Sequence, residues 1–111
     1  MKVGTQEYGD VTVVELRGDL DGDLTELLQS TITDVAAKRR RGIVLDMSAV
    51  SFVDSQGLEL LLWVRDYCNE HQTQLRLAGL DEHCAKILEV TRLEDEFNRY
   101  AELAEAVKSL A

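Results

Sequence analysis

Asp54, Ser55 and Gly57 stand together in the stretch SFVDSQGLELLLWV (Ser51–Val64), where a short apolar segment gives way to a leucine-rich one. If a strand ends there and a helix begins, the serine hydroxyl lies beside amide N–H groups that lack intrahelical partners and carry the positive end of the helix dipole. Two chemistries suit that position. The hydroxyl can cap the helix, because serine is among the preferred N-cap residues. It can also carry a phosphoryl group, because an anion is stabilised at a helix N-terminus. Position alone favours the cap. Other chemistries fit worse. DSQGL is not the G-x-S-x-G elbow of a nucleophilic serine, and His71 falls at the far end of the helix that Ser55 would open, out of reach as a base. Neither G-x-x-x-x-G-K-[ST] nor G-x-G-x-x-G occurs. Cys68 and Cys84, with His71 and His83 distant from one another, lack the spacing of a zinc site and read as small buried hydrophobes. No catalytic group, cofactor or metal is therefore predicted.

The elements that would position this join follow from hydrophobic periodicity. Val3–Glu7 and Val11–Arg17 flank YGD, which predicts an antiparallel hairpin. GDLDGDL breaks the strand pattern. From about Asp23 the residues Leu24, Leu27, Leu28, Ile32 and Val35 then share one helical face, with Gly22 or Asp23 opening the helix. KRRR (Lys38–Arg41) falls at the C-terminal end of that helix, where cations complement the dipole, just before Gly42. GIVLDM is a continuous apolar run, as expected of a strand buried on both faces at the centre of a sheet. The loop SAVSFVD leads to a helix from about Ser55 to Glu70. TQLRLAG is the next strand, ended by Gly79, and Asp81 or Glu82 opens a helix with Cys84, Ile87 and Leu88 inward. EFNRY is a short edge strand, and Leu103, Ala106, Val107 and Leu110 mark a last helix. This order predicts a single α/β domain, a mixed four- to five-stranded sheet with about four helices packed on it and right-handed crossovers between its later strands.

The chain has 111 residues, 12 of them Lys or Arg and 21 Asp or Glu, for a net charge of -9. That balance argues against nucleic acid and anionic lipid, which select basic surfaces. No apolar run approaches the roughly 18 residues of a membrane-spanning helix, so no direct membrane insertion is predicted. MKVGTQEYGD has no apolar core of a signal peptide, and the expected compartment is the cytoplasm.

With these elements in place, GIVLDMSAVSFVDSQGLELLL resembles the signature of the STAS family, in its anti-sigma factor antagonist type. It has an apolar strand ending in Asp, an S-x-V-x-F-x-D-S loop, and G-L opening a helix. LRGDLDGD is similar to the family's G-x-L-D segment, and LRLAGLDEHCAKILEVTRLEDEFNRYAELAEAV to its strand–helix–edge strand–helix ending, so the resemblance covers residues 1–111 as one STAS domain. In such antagonists the serine after the loop aspartate is phosphorylated by the anti-sigma factor, a serine-protein kinase of the histidine-kinase-like ATPase superfamily. By motif that serine is Ser55. The resemblance makes Asp21, Asp54, Gln56, Gly57 and Leu58 partner-binding residues, with Gly57 the small residue that lets the partner approach. Gln56 departs from the commoner D-S-[ST]-G.

The implied mechanism is a partner switch. The unphosphorylated chain binds the anti-sigma factor and frees a sigma factor, phosphorylation weakens that complex, and a serine phosphatase resets it. The chain would be substrate and ligand, not enzyme. The alternative is a non-switching STAS subunit of a lipid-transport or sensory complex, and a homodimer is a further expected assembly. One feature favours such a subunit: the helix after Ser55 carries two apolar stripes, Leu58, Leu61, Leu62 and Leu60, Trp63, Val64, Tyr67. Either one stripe is an exposed contact patch or the helix is buried on two sides.

Overall fold

VTVVEL and GIVLDM, the two β-branched runs of the chain, lie side by side at the heart of a five-stranded sheet. The computed structural model describes residues 2–38 and 41–110, apart from the side chain of Leu24. The strands are β1 (Lys2–Tyr8), β2 (Val11–Leu20), β3 (Gly42–Val53), β4 (Gln74–Ala78) and β5 (Arg99–Tyr100), and the helices are α1 (Thr25–Ala37), α2 (Ser55–Glu70), α3 (Glu82–Val90) and α4 (Leu103–Lys108). Single 3-10 turns occupy Gly22–Leu24 and Glu94–Glu96. The spatial order is β1-β2-β3-β4-β5. β1 runs antiparallel to β2 through a turn that takes positive φ at Gly9, and β2, β3, β4 and β5 are mutually parallel.

The central strands of the sheet are buried on both faces, which explains the unbroken apolar run of β3. Ile43, Leu45 and Met47 point into the larger core with Leu28, Ile32, Leu61, Val64 and Leu88. Val44, between them, faces the other way onto Ala106 and Leu110. Pleating sends alternate side chains to opposite faces, so a strand covered on both sides needs an apolar residue at nearly every position.

Two expectations are corrected. SAVSFV is strand rather than loop: β3 continues through Val53 because β2 continues alongside it to Leu20, pairing Arg17 with Ala49, Gly18 with Val50 and Leu20 with Val53. Register shifts between Glu15 and Arg17 and between Gly18 and Asp19 absorb the extra residues of β3, as bulges do. α1 is preceded by the Gly22–Leu24 turn and becomes α-helical only at Thr25; its buried residues are Leu28, Ile32, Val35 and Ala36, while Leu27 is 49% exposed. Of the basic run, Lys38 follows α1, and Arg39 and Arg40 lie outside the described residues.

The two stripes of α2 resolve as a helix buried on two sides. Leu60, Leu61, Val64 and Cys68 are buried, and Leu58, Leu62, Trp63 and Tyr67 are half-buried against the same core. Trp63, Tyr67 and His71 stack in sequence along the helix, with centroids 5.0 and 4.0 Å apart.

Cys68 and Cys84 are free and buried, as expected. Burial pushes the Cys68 thiol up to about 11. Burial, reinforced by the Asp81 carboxylate, pushes Cys84 up to about 12. Only the thiolate is reactive, so neither cysteine of the folded chain should react with Ellman's reagent at pH 8, and both should react in urea. Since the folded thiols hold their protons after unfolded thiols have ionised, stability should fall as pH rises above the unperturbed value of 9.0. Urea midpoints of the native chain and a variant with both cysteines replaced by alanine, compared across that range, measure this loss.

Candidate functional site

The pairing of Leu20 with Val53 ends β2 and β3 side by side, and the next residue on each strand is an aspartate, Asp21 and Asp54. Both chains then turn into helical structure. Asp21 Oδ1 accepts the Asp23 N–H at 3.0 Å, capping the short turn that leads to α1. Asp54 is extended, with φ -97 and ψ -174. Its Oδ1 accepts the Gly57 N–H at 2.8 Å, and its carbonyl accepts the first intrahelical bond from Leu58 N–H at 2.9 Å. Asp54 is thus the N-cap of α2, and Ser55 is the first helical residue. The cap expected at Ser55 is held one position earlier, because a carboxylate both bonds the free amide and complements the dipole.

That shift changes what Ser55 can do. It is exposed, and its hydroxyl takes no hydrogen bond among the described residues. The first turn is therefore satisfied without it. Modification of the hydroxyl costs α2 no cap.

Gly57 sits where α2 crosses the end of β2. The Leu20 carbonyl accepts the Asp54 N–H at 3.3 Å, and a Cβ on Gly57 would collide with that oxygen and come within 2.9 Å of its carbon. Gly57 is buried. The close approach it allows within this chain is between α2 and β2. Leu58 is half-buried and packs against the core. Asp21 and Asp54 are half-buried and Gln56 is exposed. The Gln56 side chain lies over Gly22, where a Cβ would collide with its amide oxygen and fall within 2.8 Å of its Cδ. It therefore spans the beginnings of α1 and α2 and lines a groove of about 370 Å³ together with Thr25, Gln29, Glu59 and Trp63.

Two residues beside the site carried no signal as a pair in the sequence. Phe52 is 45% exposed and stacks on His83 with centroids 6.4 Å apart. Placing Phe52 in a loop hid its proximity to α3, whose cap is a third aspartate. Asp81 accepts the Cys84 N–H at 2.8 Å, and that bond, aided by the Cys84 side chain, holds the Asp81 carboxyl below the usual range. His71 caps the opposite end of α2, about 24 Å from Ser55 by helical rise, which removes it as a base for the serine.

Three parallel strands thus end in aspartate-capped helices at one end of the sheet, with an unbonded serine hydroxyl on the middle helix. The sequence matches the model of the STAS domain over residues 2–106. The chain belongs to the STAS domain family. It is 27% identical to the anti-sigma-B factor antagonist of Staphylococcus aureus over 82 residues, 74% of this chain and 76% of that protein. Among solved structures it is similar to an anti-sigma factor antagonist from Mycobacterium paratuberculosis, with a TM-score of 0.86 at 23% identity over 98% of this chain and 92% of the other. It is also similar to the Bacillus cell fate determinant SpoIIAA in its phosphorylated form, with a TM-score of 0.75 at 19% identity over 99% and 100%. At these identities the structures establish a shared STAS fold.

The corner of this STAS domain separates residues that hold the fold from residues that face outward. Asp54→Ala should cost about 1 kcal/mol in urea unfolding, the usual worth of an N-cap, whereas Ser55→Ala should stay within about 0.5 kcal/mol. Gly57→Ala should cost about 3 kcal/mol, as overpacking against backbone does, while Gly4→Ala, with nothing within 4 Å of its Cβ, should be close to neutral.

Proposed function

We propose that this STAS domain is an anti-sigma factor antagonist that switches partners through phosphorylation of Ser55. The observation that carries the proposal is the division of labour at the start of α2: Asp54 caps the helix and leaves the Ser55 hydroxyl exposed at its first residue. The partner is an anti-sigma factor that is also a serine-protein kinase of the histidine-kinase-like ATPase type. It binds the unphosphorylated chain over the exposed corner of Asp21, Asp54, Ser55 and Gln56, and a sigma factor is released. In the same complex the Ser55 oxygen attacks the γ-phosphorus of ATP held by the kinase. The new O–P bond replaces the bond to ADP, and the hydroxyl proton leaves to a base of the kinase.

The phosphoryl group adds about -1.5 to -2 charge next to the carboxylates of Asp21 and Asp54. Within the chain this is tolerated, because the group stands in solvent at the positive end of α2. Inside a docked interface it is desolvated and meets like charge, so the complex weakens without refolding of the domain. A serine phosphatase restores the hydroxyl. The chain acts as substrate and ligand, not as catalyst. Gln56, filling the third position of D-S-Q-G and lying over Gly22, is the residue most exposed to partner choice. An exposed stripe on α2 would have favoured a constitutive subunit, but both stripes pack against the chain's own core.

By calorimetry, Ser55→Ala should bind the kinase as the unmodified chain does, and Ser55→Asp at least about tenfold more weakly, as expected for an unpaired charge carried into an interface. Equal affinities would contradict the switch. Fragment mass spectra of kinase-treated protein should place the phosphoryl group on Ser55 and not on Ser48 or Ser51.

A further inference from the structure

The two edges of the sheet differ in how they meet solvent. β5 is two residues long, the kind of short edge that resists strand addition. β1 is seven residues long and keeps an unbroken register with β2 from Lys2–Arg17 to Tyr8–Val11. It contains no proline, and among the described residues no strand covers its outer side. Its charges, Lys2 and Glu7, lie near its ends, so Val3–Gln6 lacks the central lysine or bulge by which natural edges avoid pairing. Two side chains at its ends are placed to meet a further strand. Lys2 stands across from Arg17, which is itself paired with Glu15, and Tyr8, whose hydroxyl donates to Gln6 Oε1, keeps its ring 48% exposed.

We propose that β1 is a self-association edge, pairing antiparallel with β1 of a second copy of this chain about a two-fold axis at Thr5. Such an axis, perpendicular to the sheet, keeps like faces together, so residues opposite one another must share a face. Centring on Thr5 pairs every residue of β1. Lys2 then lies across from the partner's Tyr8, Val3 from the partner's Glu7, Gly4 from the partner's Gln6, and Thr5 from the partner's Thr5. The Lys2 ammonium, which keeps Arg17 on its β2 side, gains the partner's Tyr8 ring on the other. This complementarity favours a second copy over an unrelated strand. The two five-stranded sheets become continuous, and the edge lies two strands away from β3, so Ser55 stays open in the dimer. The inference does not rest on phosphorylation at Ser55.

Sedimentation equilibrium of the full chain should show a reversible monomer–dimer equilibrium. Thr5→Lys sets two ammonium groups opposite each other across the axis and should raise the dimer Kd at least about tenfold. Thr5 is exposed, so the urea midpoint should not move at concentrations below the dimer Kd, where association adds no stability, and since the substitution lowers the net negative charge, a general charge effect would act in the opposite direction. Thr5→Cys should cross-link into disulfide dimers under mild oxidation faster than Gln6→Cys, whose opposite residue is glycine, with the native thiols buried. A monomer at all concentrations, a dimer whose Kd Thr5→Lys leaves unchanged, or cross-linking of Thr5→Cys no faster than of Gln6→Cys would each overturn the proposal.

Discussion

The carbonyl group of Leu20 is the point on which the corner is built. It ends β2, accepts the N–H of Asp54 and lies so close to Gly57 that no side chain fits between them. This one approach brings the start of α2 onto the end of the neighbouring strand. It leaves Asp21 on the β2 side and Asp54 on the β3 side at adjacent strand ends, and it lets Gln56 reach across to Gly22. Any larger residue at position 57 would lift α2 off β2 and separate the acidic residues from the serine they flank. Gly57 thus holds the scaffold together from within the motif that carries the proposed phosphorylation site.

At the same end of the sheet, three helix starts are neutralised by three aspartates, Asp21, Asp54 and Asp81. Each carboxylate is committed to an amide of its own chain, which fixes its position and leaves its remaining charge facing outward. A corner arranged this way is electronegative yet internally satisfied. Added negative charge therefore has little to disrupt inside the domain and much to disrupt in a partner docked against it. In the proposed switch, stability and signalling are carried by neighbouring residues: Asp54 holds the helix, and Ser55 is free to change charge.

Much of the fold was legible in the sequence because its strongest patterns arise from burial. GIVLDM read as a central strand, and its side chains do divide between the two cores. Ser55–Glu70 read as a helix, and its bounds hold. What escaped was set by pairing between distant segments. SAVSFV sets two serines and an alanine among its apolar residues, which read as a loop, and the long β2 beside it draws it into the sheet. At the site, the motif located Ser55 and its acidic neighbours, but local preference could not tell which of two adjacent cap-forming residues takes the cap. The bond from Gly57 N–H to Asp54 decides that. Nor could sequence distinguish a glycine that admits a partner from one that admits a carbonyl of its own chain, since both demand the same missing Cβ.

The central claim is that a phosphoryl group at Ser55 acts as a local charge on a corner that does not rearrange. It is tested most directly by comparing amide chemical shifts of the chain with and without phosphoserine incorporated at position 55 during translation. The account predicts shifts confined to Asp21–Asp23 and Asp54–Leu58, with the buried amides of β3, β4 and α3 unmoved. Shifts spreading through Ile43–Met47, Leu77 and Leu88 would show a domain that refolds around the phosphate, and would contradict it.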